Sequence, residues 1–271
     1  MRFAMITSGG SFGRRLALDL AAQGVDLSAI VQVTPKASRA NNRGLLRGPY
    51  RALRKAAAKS LKLSATAPGA PLEDFCRKLH RIEDVNGPIM HAFFKDFGAD
   101  HILLGGSGIL DGSTIDAAGC PVWNAHPALL PFVRGMDVVA NAVGRGVAVG
   151  GTVHCVDQGI DTGAYANRWL VPVLDYDTLD DLNTKANVLC TRKLAEFAFA
   201  LSCGEKPPLH TEQRRSPCCK RLTAEERCPI AASVEEGWAH ELYQTWRSAA
   251  GDNDIPSDWN DHPAVDITWK E

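Results

Sequence analysis

Two apolar runs, joined by a glycine-rich turn and an amphipathic stretch, open the chain and limit what it can become. Phe3–Thr7 reads as a buried strand, Phe12–Gln23 as a helix with apolar residues at 16, 18, 20 and 22, and Leu27–Val33 as the next strand. A strand, a helix and a strand in so short a span close as a right-handed crossover between parallel neighbours, with the helix on one face of the sheet. The same alternation continues downstream. Asn86–Phe97 reads as a helix, His101–Gly105 and Pro121–His126 as strands, Met136–Val143 as a helix, Val147–Val156 and Tyr165–Val173 as strands, and Leu179–Leu201 as a long helix.

This pattern predicts an α/β fold: a Rossmann-like open, mostly parallel sheet flanked by helices, with a small C-terminal appendage. At 271 residues, 45% hydrophobic and 23% charged, the chain can bury one sizeable core, and we expect a catalytic domain over 1–203 and an extension over 204–271. No run of about eighteen apolar residues is present and the N-terminus lacks a signal-peptide pattern, so the expectation is a cytoplasmic protein with no membrane partner. The eight cysteines, at 76, 120, 155, 190, 203, 218, 219 and 228, do not form a disulfide framework in a chain of this length, and several fall inside core elements as small hydrophobes.

Two segments stand apart in composition. From Lys36 to Lys62 the chain carries Arg39, Arg43, Arg47, Arg51, Arg54, Lys55 and Lys59 without one acid. Such a segment can clamp a phosphorylated substrate, contact tRNA, lie on an anionic surface, or simply form a solvated flap over a cleft; with Tyr50 as its single aromatic residue it offers no stacking platform, which disfavours nucleic acid. The tail after Gly204 brings Cys218, Cys219 and Cys228 and then Trp238, Trp246, Trp259 and Trp269. Cys203, His210, Cys218 or Cys219, and Cys228 are zinc-type ligands, but their spacing is not that of a standard finger, so no metal is expected; a module packed on the catalytic domain is the better reading.

The chemistry lies in Trp123-Asn124-Ala125-His126-Pro127. At the end of a strand Asn124 and His126 project to the same face, while Pro127 removes a backbone donor and stops the ladder. An amide supplies neutral donors and an imidazole moves a proton near neutrality, a pairing suited to holding a developing oxyanion. Asp161 follows the alternating strand Gly150–Val156 in a Gly/Asp-rich loop, from which a carboxylate can orient His126 and accept a proton through a water. His154, inside that strand, reads as a core histidine and stays outside the catalytic set, and Asp100-His101 reads as a helix-to-strand junction. The loop Ser8-Gly9-Gly10-Ser11-Phe12-Gly13 lacks the spacing of a dinucleotide fingerprint, and no acid ends the second strand; it is the turn and first wall of a substrate cleft, where backbone donors can meet an anion.

Taken together, Asn124-Ala125-His126-Pro127-Ala128-Leu129-Leu130-Pro131, then Arg134-Gly135, then Gly150-Gly151-Thr152-Val153-His154, then Asp157-Gln158-Gly159-Ile160-Asp161-Thr162-Gly163 resemble the folate-dependent formyltransferases, a family that includes glycinamide ribonucleotide, methionyl-tRNA and sugar N-formyltransferases. The resemblance runs from about Met1 to Leu201 and is most specific over Ile102–Val173; Ala128, where a Ser is usual, departs from it outside the trio. It implies Asn124, His126 and Asp161 as catalytic residues and N10-formyltetrahydrofolate as co-substrate, with no metal. The pterin is implied against Ser107, Gly108, Ile109 and Leu110, with Asp157 and Gly159 on the opposite wall. The acceptor-binding set is Ser8, Gly9, Gly10, Ser11, Arg134 and Gly135, and the acceptor is expected to be a primary amine on a sugar nucleotide, an amino acid or a biosynthetic intermediate. A methionyl-tRNA formyltransferase would instead carry a C-terminal β-barrel, for which residues 205–271 are weak in alternating strands. A formyltetrahydrofolate hydrolase or a non-catalytic folate-binding module would share the trio, and a homo-oligomer stays open.

Overall fold

The computed structural model describes residues 1–34, 70–212 and 215–250. The basic segment 36–62, and Trp259 and Trp269, lie outside the described residues. The elements are β1 (Phe3–Thr7), α1 (Ser11–Ala22), β2 (Leu27–Val33), a 3-10 turn (Leu72–Phe75), β3 (Leu79–Ile82), α2 (Pro88–Phe97), β4 (His101–Leu104), α3 (Gly112–Ala118), β5 (Val122–His126), β6 (Arg134–Gly135), α4 (Val138–Gly144), β7 (Gly150–Cys155), β8 (Tyr165–Leu170), α5 (Leu179–Ser202), β9 (Cys218–Cys219), α6 (Ala224–Glu235) and α7 (Trp238–Ala250).

Seven strands form one sheet in the order β3-β2-β1-β4-β5-β7-β8. The first five are parallel, and β7 and β8 close the sheet antiparallel. Side-chain alternation divides the core. Phe3 and Met5 of β1 join Leu16 and Leu20 of α1 and Leu194 and Phe197 of α5 on one face; Ala4 and Ile6 join Met90 and Phe94 of α2 and Leu110 on the other. A third cluster gathers Phe132, α4, Leu182, Val234 and Trp246, so that α6 and α7 share a core with the catalytic half of the molecule. The long helix α5 starts at a capping box in which Thr178 and Asp181 satisfy each other's backbone N–H.

Several boundaries differ from those expected. Helix α2 begins at Pro88, not Asn86: Pro occupies the first helical turn, and Asn86 instead donates to the Ile109 carbonyl and accepts from the Asp111 N–H. Val147 lies in the turn that follows α4, its N–H donating back to Ala142 O, so β7 starts only at Gly150. Strand β3, helix α3 and the two C-terminal helices add to the elements expected.

The order in which successive strands are laid down reverses between β1 and β4, the position where open α/β sheets bind ligands beyond their strand ends. The loops that follow these strands are tied together there. Ser8 N–H donates to Gly106 O (3.0 Å), and the Thr7 hydroxyl donates to Gly105 O (2.7 Å) while accepting from Gly9 N–H (3.0 Å). Helix α1 lies so close that a Cβ at Gly13 would come within 1.9 Å of Thr7 Oγ1, so the glycine is what admits the helix. Thr7→Val keeps the shape and removes both hydrogen bonds in a fully buried site; we expect a loss of about 1–3 kcal/mol in urea unfolding, and an unchanged midpoint would show the knot to be unimportant.

Candidate active site

Register brings the polar residues together. Strand β5 runs parallel to β4 but antiparallel to β7, so Asn124 lies opposite His154 and His126 opposite Thr152. Asn124 Nδ2 donates to His154 Nε2 (3.2 Å), which leaves His154 protonated on Nδ1, its donor to the Cys155 carbonyl (3.2 Å). One amide hydrogen of Asn124 is thereby held; the other is left for a ligand.

His126 is deeply buried and donates from Nε2 to the Val133 carbonyl (3.1 Å). Its Nδ1 therefore faces Asp161, 3.5 Å from Oδ2, while Oδ1 of the same carboxylate is 3.7 Å from His154 Nε2. The two imidazole rings stand perpendicular, with centroids 6.3 Å apart. Asp161 reaches this point from a left-handed backbone conformation (φ 52°), which Asp tolerates better than most residues, and Gly135 N–H fixes its Oδ2 at 2.9 Å. Asn124, His126 and Asp161 thus converge at the C-terminal end of β5. They do so with a partner that sequence reasoning set aside: His154 is buried, as expected of a core histidine, yet its Nε2 meets both Asn124 and Asp161. The signal that could have found it is the two-residue period of β7 combined with the β5 register.

Burial above all, with the neighbouring His126 as a second cause, depresses His154 to about 4, the Asp161 carboxylate opposing the shift only in part. The folded state therefore resists protonating a side chain that the unfolded chain protonates near its ordinary value. Stability from this group is complete at neutral pH and is lost as pH falls from about 6.5 to about 4, by an amount on the order of 3 kcal/mol. In His154→Gln the acid-side decline in urea midpoint should be shallower; equal declines in both proteins would remove His154 as its source.

The remaining expected site residues surround the trio. Ser8 and Gly10 are exposed beside the open N-terminus of α1, which has no side-chain cap, and Arg14 binds the Gly9 carbonyl (3.1 Å). Ser107 is buried with its hydroxyl on Gly108 O, whereas a Cβ on Gly108 would meet nothing within 4 Å. Leu110 turns into the core, so of the two apolar residues expected to face the cleft only Ile109, 73% exposed, is left outside the core. A Cβ on Gly112 would lie 3.3 Å from the Gln158 side chain, so the Ser107–Leu110 loop and the Asp157–Asp161 loop are near neighbours. Asp157 caps its own loop, accepting from Gly159 N–H and Thr162 Oγ1. Arg134 spends its guanidinium on backbone, donating to Ile160 O (3.0 Å) and Ser216 O (2.6 Å). Among the described residues no three His, Cys, Asp or Glu side chains are arranged to hold a metal, all eight cysteines are unbridged, and no helix is long and apolar enough to cross a membrane.

Comparison with known proteins agrees with this architecture. Over 80 residues the chain is 45% identical to phosphoribosylglycinamide formyltransferase of Mycobacterium tuberculosis, covering 29% of this chain and 37% of the relative. Over 208 residues it is 26% identical to methionyl-tRNA formyltransferase of Thiobacillus denitrificans, covering 76% and 62%. The chain spans less than half the length of the first curated relatives it matches, between 37% and 46%. Two solved structures share the fold: glycinamide ribonucleotide transformylase 1 from Symbiobacterium toebii (TM-score 0.52, 24% identity, 79% of this chain and 92% of that one) and a 4-N formyltransferase from Francisella tularensis (TM-score 0.54, 13% identity, 88% and 87%). Residues 1–194 match the Formyl transferase family, and the chain belongs to it.

Proposed function

We propose that the chain transfers a formyl group from N10-formyltetrahydrofolate to a primary amine on a small molecule. The observation that carries this reading is the convergence of Asn124, His126 and Asp161 at one strand end, with the carboxylate fixed by Gly135 N–H and the amide fixed by His154. The folate suits the cleft between Ser107–Leu110 and Asp157–Asp161: open space above Gly108 admits a flat ring to the backbone, and Ile109 supplies an apolar face. When bound, the co-substrate supplies an activated formyl carbon.

What the chain contributes is donors and a base. The uncommitted N–H of Asn124 is available to an oxygen that gains negative charge. His126, with Nε2 held by Val133 O, presents Nδ1 to the Asp161 carboxylate 3.5 Å away, and Nδ1 is the ring atom through which it can pass a proton. Asp161 is also the group best placed to take a proton, through water, from an attacking amine. The uncapped start of α1 beside Ser8–Ser11 favours an acceptor that carries an anionic group, such as a phosphate or a sugar nucleotide.

The longer alignment to a methionyl-tRNA formyltransferase raises tRNA as a second acceptor. Against it, residues 224–250 form two helices that share the core around α4, where a tRNA-binding barrel would need strands. The test supplies 10-formyltetrahydrofolate with glycinamide ribonucleotide, amino-sugar nucleotides, amino acids, charged initiator tRNA, or no acceptor, and follows tetrahydrofolate and formate together. Tetrahydrofolate release that requires a small amine supports the reading. Formate release without an amine would make the protein a hydrolase, dependence on tRNA would reassign the acceptor, and folate binding without turnover would leave a binding module.

A further inference from the structure

One part of the fold near the trio is held by several cross-connecting hydrogen bonds, of which the reading above uses only the Gly135 N–H. Strand β6 is only Arg134–Gly135, and its parallel partner is β9, Cys218–Cys219 of the C-terminal extension, in a two-stranded sheet separate from the main one. Around this pair the backbone N–H and C=O groups of residues 216–222 are stitched to residues 131–137. Ser216 N–H donates to Pro131 O (3.2 Å), Met136 N–H to Cys219 O (2.9 Å), and Leu222 N–H to the Asp137 carboxylate (2.9 Å). The approach is close: a Cβ on Gly135, whose φ is +100°, would fall 2.4 Å from Cys219 O, so this position requires glycine.

Both ends of the stitched pair lead to Asp161. Gly135 N–H holds its carboxylate, and Arg134 holds the neighbouring Ile160 carbonyl with one arm and the buried Ser216 carbonyl with the other. A planar guanidinium suits such a bridge because its N–H groups leave in fixed directions.

Resting on the formyl-transfer reading above, we propose that Arg134 is a positioning residue for Asp161, not a ligand of the acceptor, and that the strap Ser216–Leu222 completes the active site by holding Arg134 and Gly135 in place. The left-handed conformation of Asp161 makes such a brace necessary, since a loop released at Ile160 relaxes toward ordinary backbone and withdraws the carboxylate from His126.

The test compares wild type, Arg134→Met, Arg134→Lys, Asp161→Asn and the Arg134→Met/Asp161→Asn double variant in steady-state kinetics. Hydrogen exchange of residues 157–163 and 215–220 is measured alongside. In Arg134→Met, kcat should fall about 10- to 100-fold, as expected when a catalytic group is displaced by about an ångström, with KM for donor and amine within about threefold of wild type. On the Asp161→Asn background the same change should cost less than about threefold, because the group being positioned is already gone. Exchange in both segments should rise, and low-millimolar guanidinium chloride should restore part of the rate. If Arg134→Met does not fold, Arg134→Lys, which cannot span two carbonyls with one ammonium, decides with an intermediate loss of kcat.

A raised acceptor KM with kcat intact would make Arg134 a substrate ligand and overturn the proposal, as would full additivity with Asp161→Asn. If wild type transfers no formyl group, it is the reading of function that fails. Exchange then still decides the strap: unchanged protection of 157–163 in Arg134→Met overturns it, and increased protection loss in both segments supports it.

Discussion

Asp161→Asn should lower kcat for formyl transfer by about 10²- to 10⁴-fold while leaving the urea midpoint close to wild type. The substitution is nearly isosteric, and the amide oxygen can still accept from Gly135 N–H, so the loop keeps its anchor. What disappears is charge, removed 3.5 Å from His126 Nδ1 and 3.7 Å from His154 Nε2 in a pocket where the Asp161 side chain is only 15% exposed. An imidazolium at position 126 then has no counter-ion, and no carboxylate is left to receive a proton. With ground-state binding left to the two loop walls and the open start of α1, as proposed above, KM should move little, which is the signature of an interaction made in the transition state. A variant that kept more than a tenth of wild-type kcat would remove Asp161 from the chemistry and leave His126 and Asn124 to account for it alone.

That three such groups share a site was partly legible in the chain itself. The two-residue period of a strand puts Asn124 and His126 on one face wherever β5 lies, and Pro127 marks where the strand ends. Asp161 is different. Its approach depends on β7 returning antiparallel beside β5 with Asn124 opposite His154, and a pairing register between segments so far apart leaves no local trace. The same register hid His154, whose burial reads as ordinary until its neighbours are known. Arg134 is a further case: a cation beside a catalytic motif suggests a ligand, and only the fold shows two of its N–H groups on the Ser216 and Ile160 carbonyls. In the extension, α6 carries an internal Pro229 and little apolar periodicity, so nothing in that stretch announces a helix. Helix α7, equally absent from the expected elements, does carry a local signal, since Ala239, Leu242, Tyr243 and Trp246 recur at the spacing of one helical face.

Trp246 is where that face matters most. It is 1% exposed, its ring stands edge-on to Phe132 at 5.7 Å and 80°, and it lies in the cluster formed by α4, Val149 and Leu182. Trp246→Ala should therefore cost about 3–5 kcal/mol, the range for emptying a large aromatic site in a well-packed core. Activity should fall as well, because Phe132 immediately precedes Val133, whose carbonyl holds His126 Nε2, and then Arg134, which donates to the Ile160 carbonyl. Urea unfolding of the variant followed by tryptophan fluorescence and by far-UV circular dichroism should give coincident transitions at a lower midpoint, as one cooperative unit requires. Loss of α7 signal at low urea, with the catalytic core unfolding at the wild-type midpoint and kcat preserved, would instead make residues 224–250 an independent appendage, and the core they share with α4 would carry little energy.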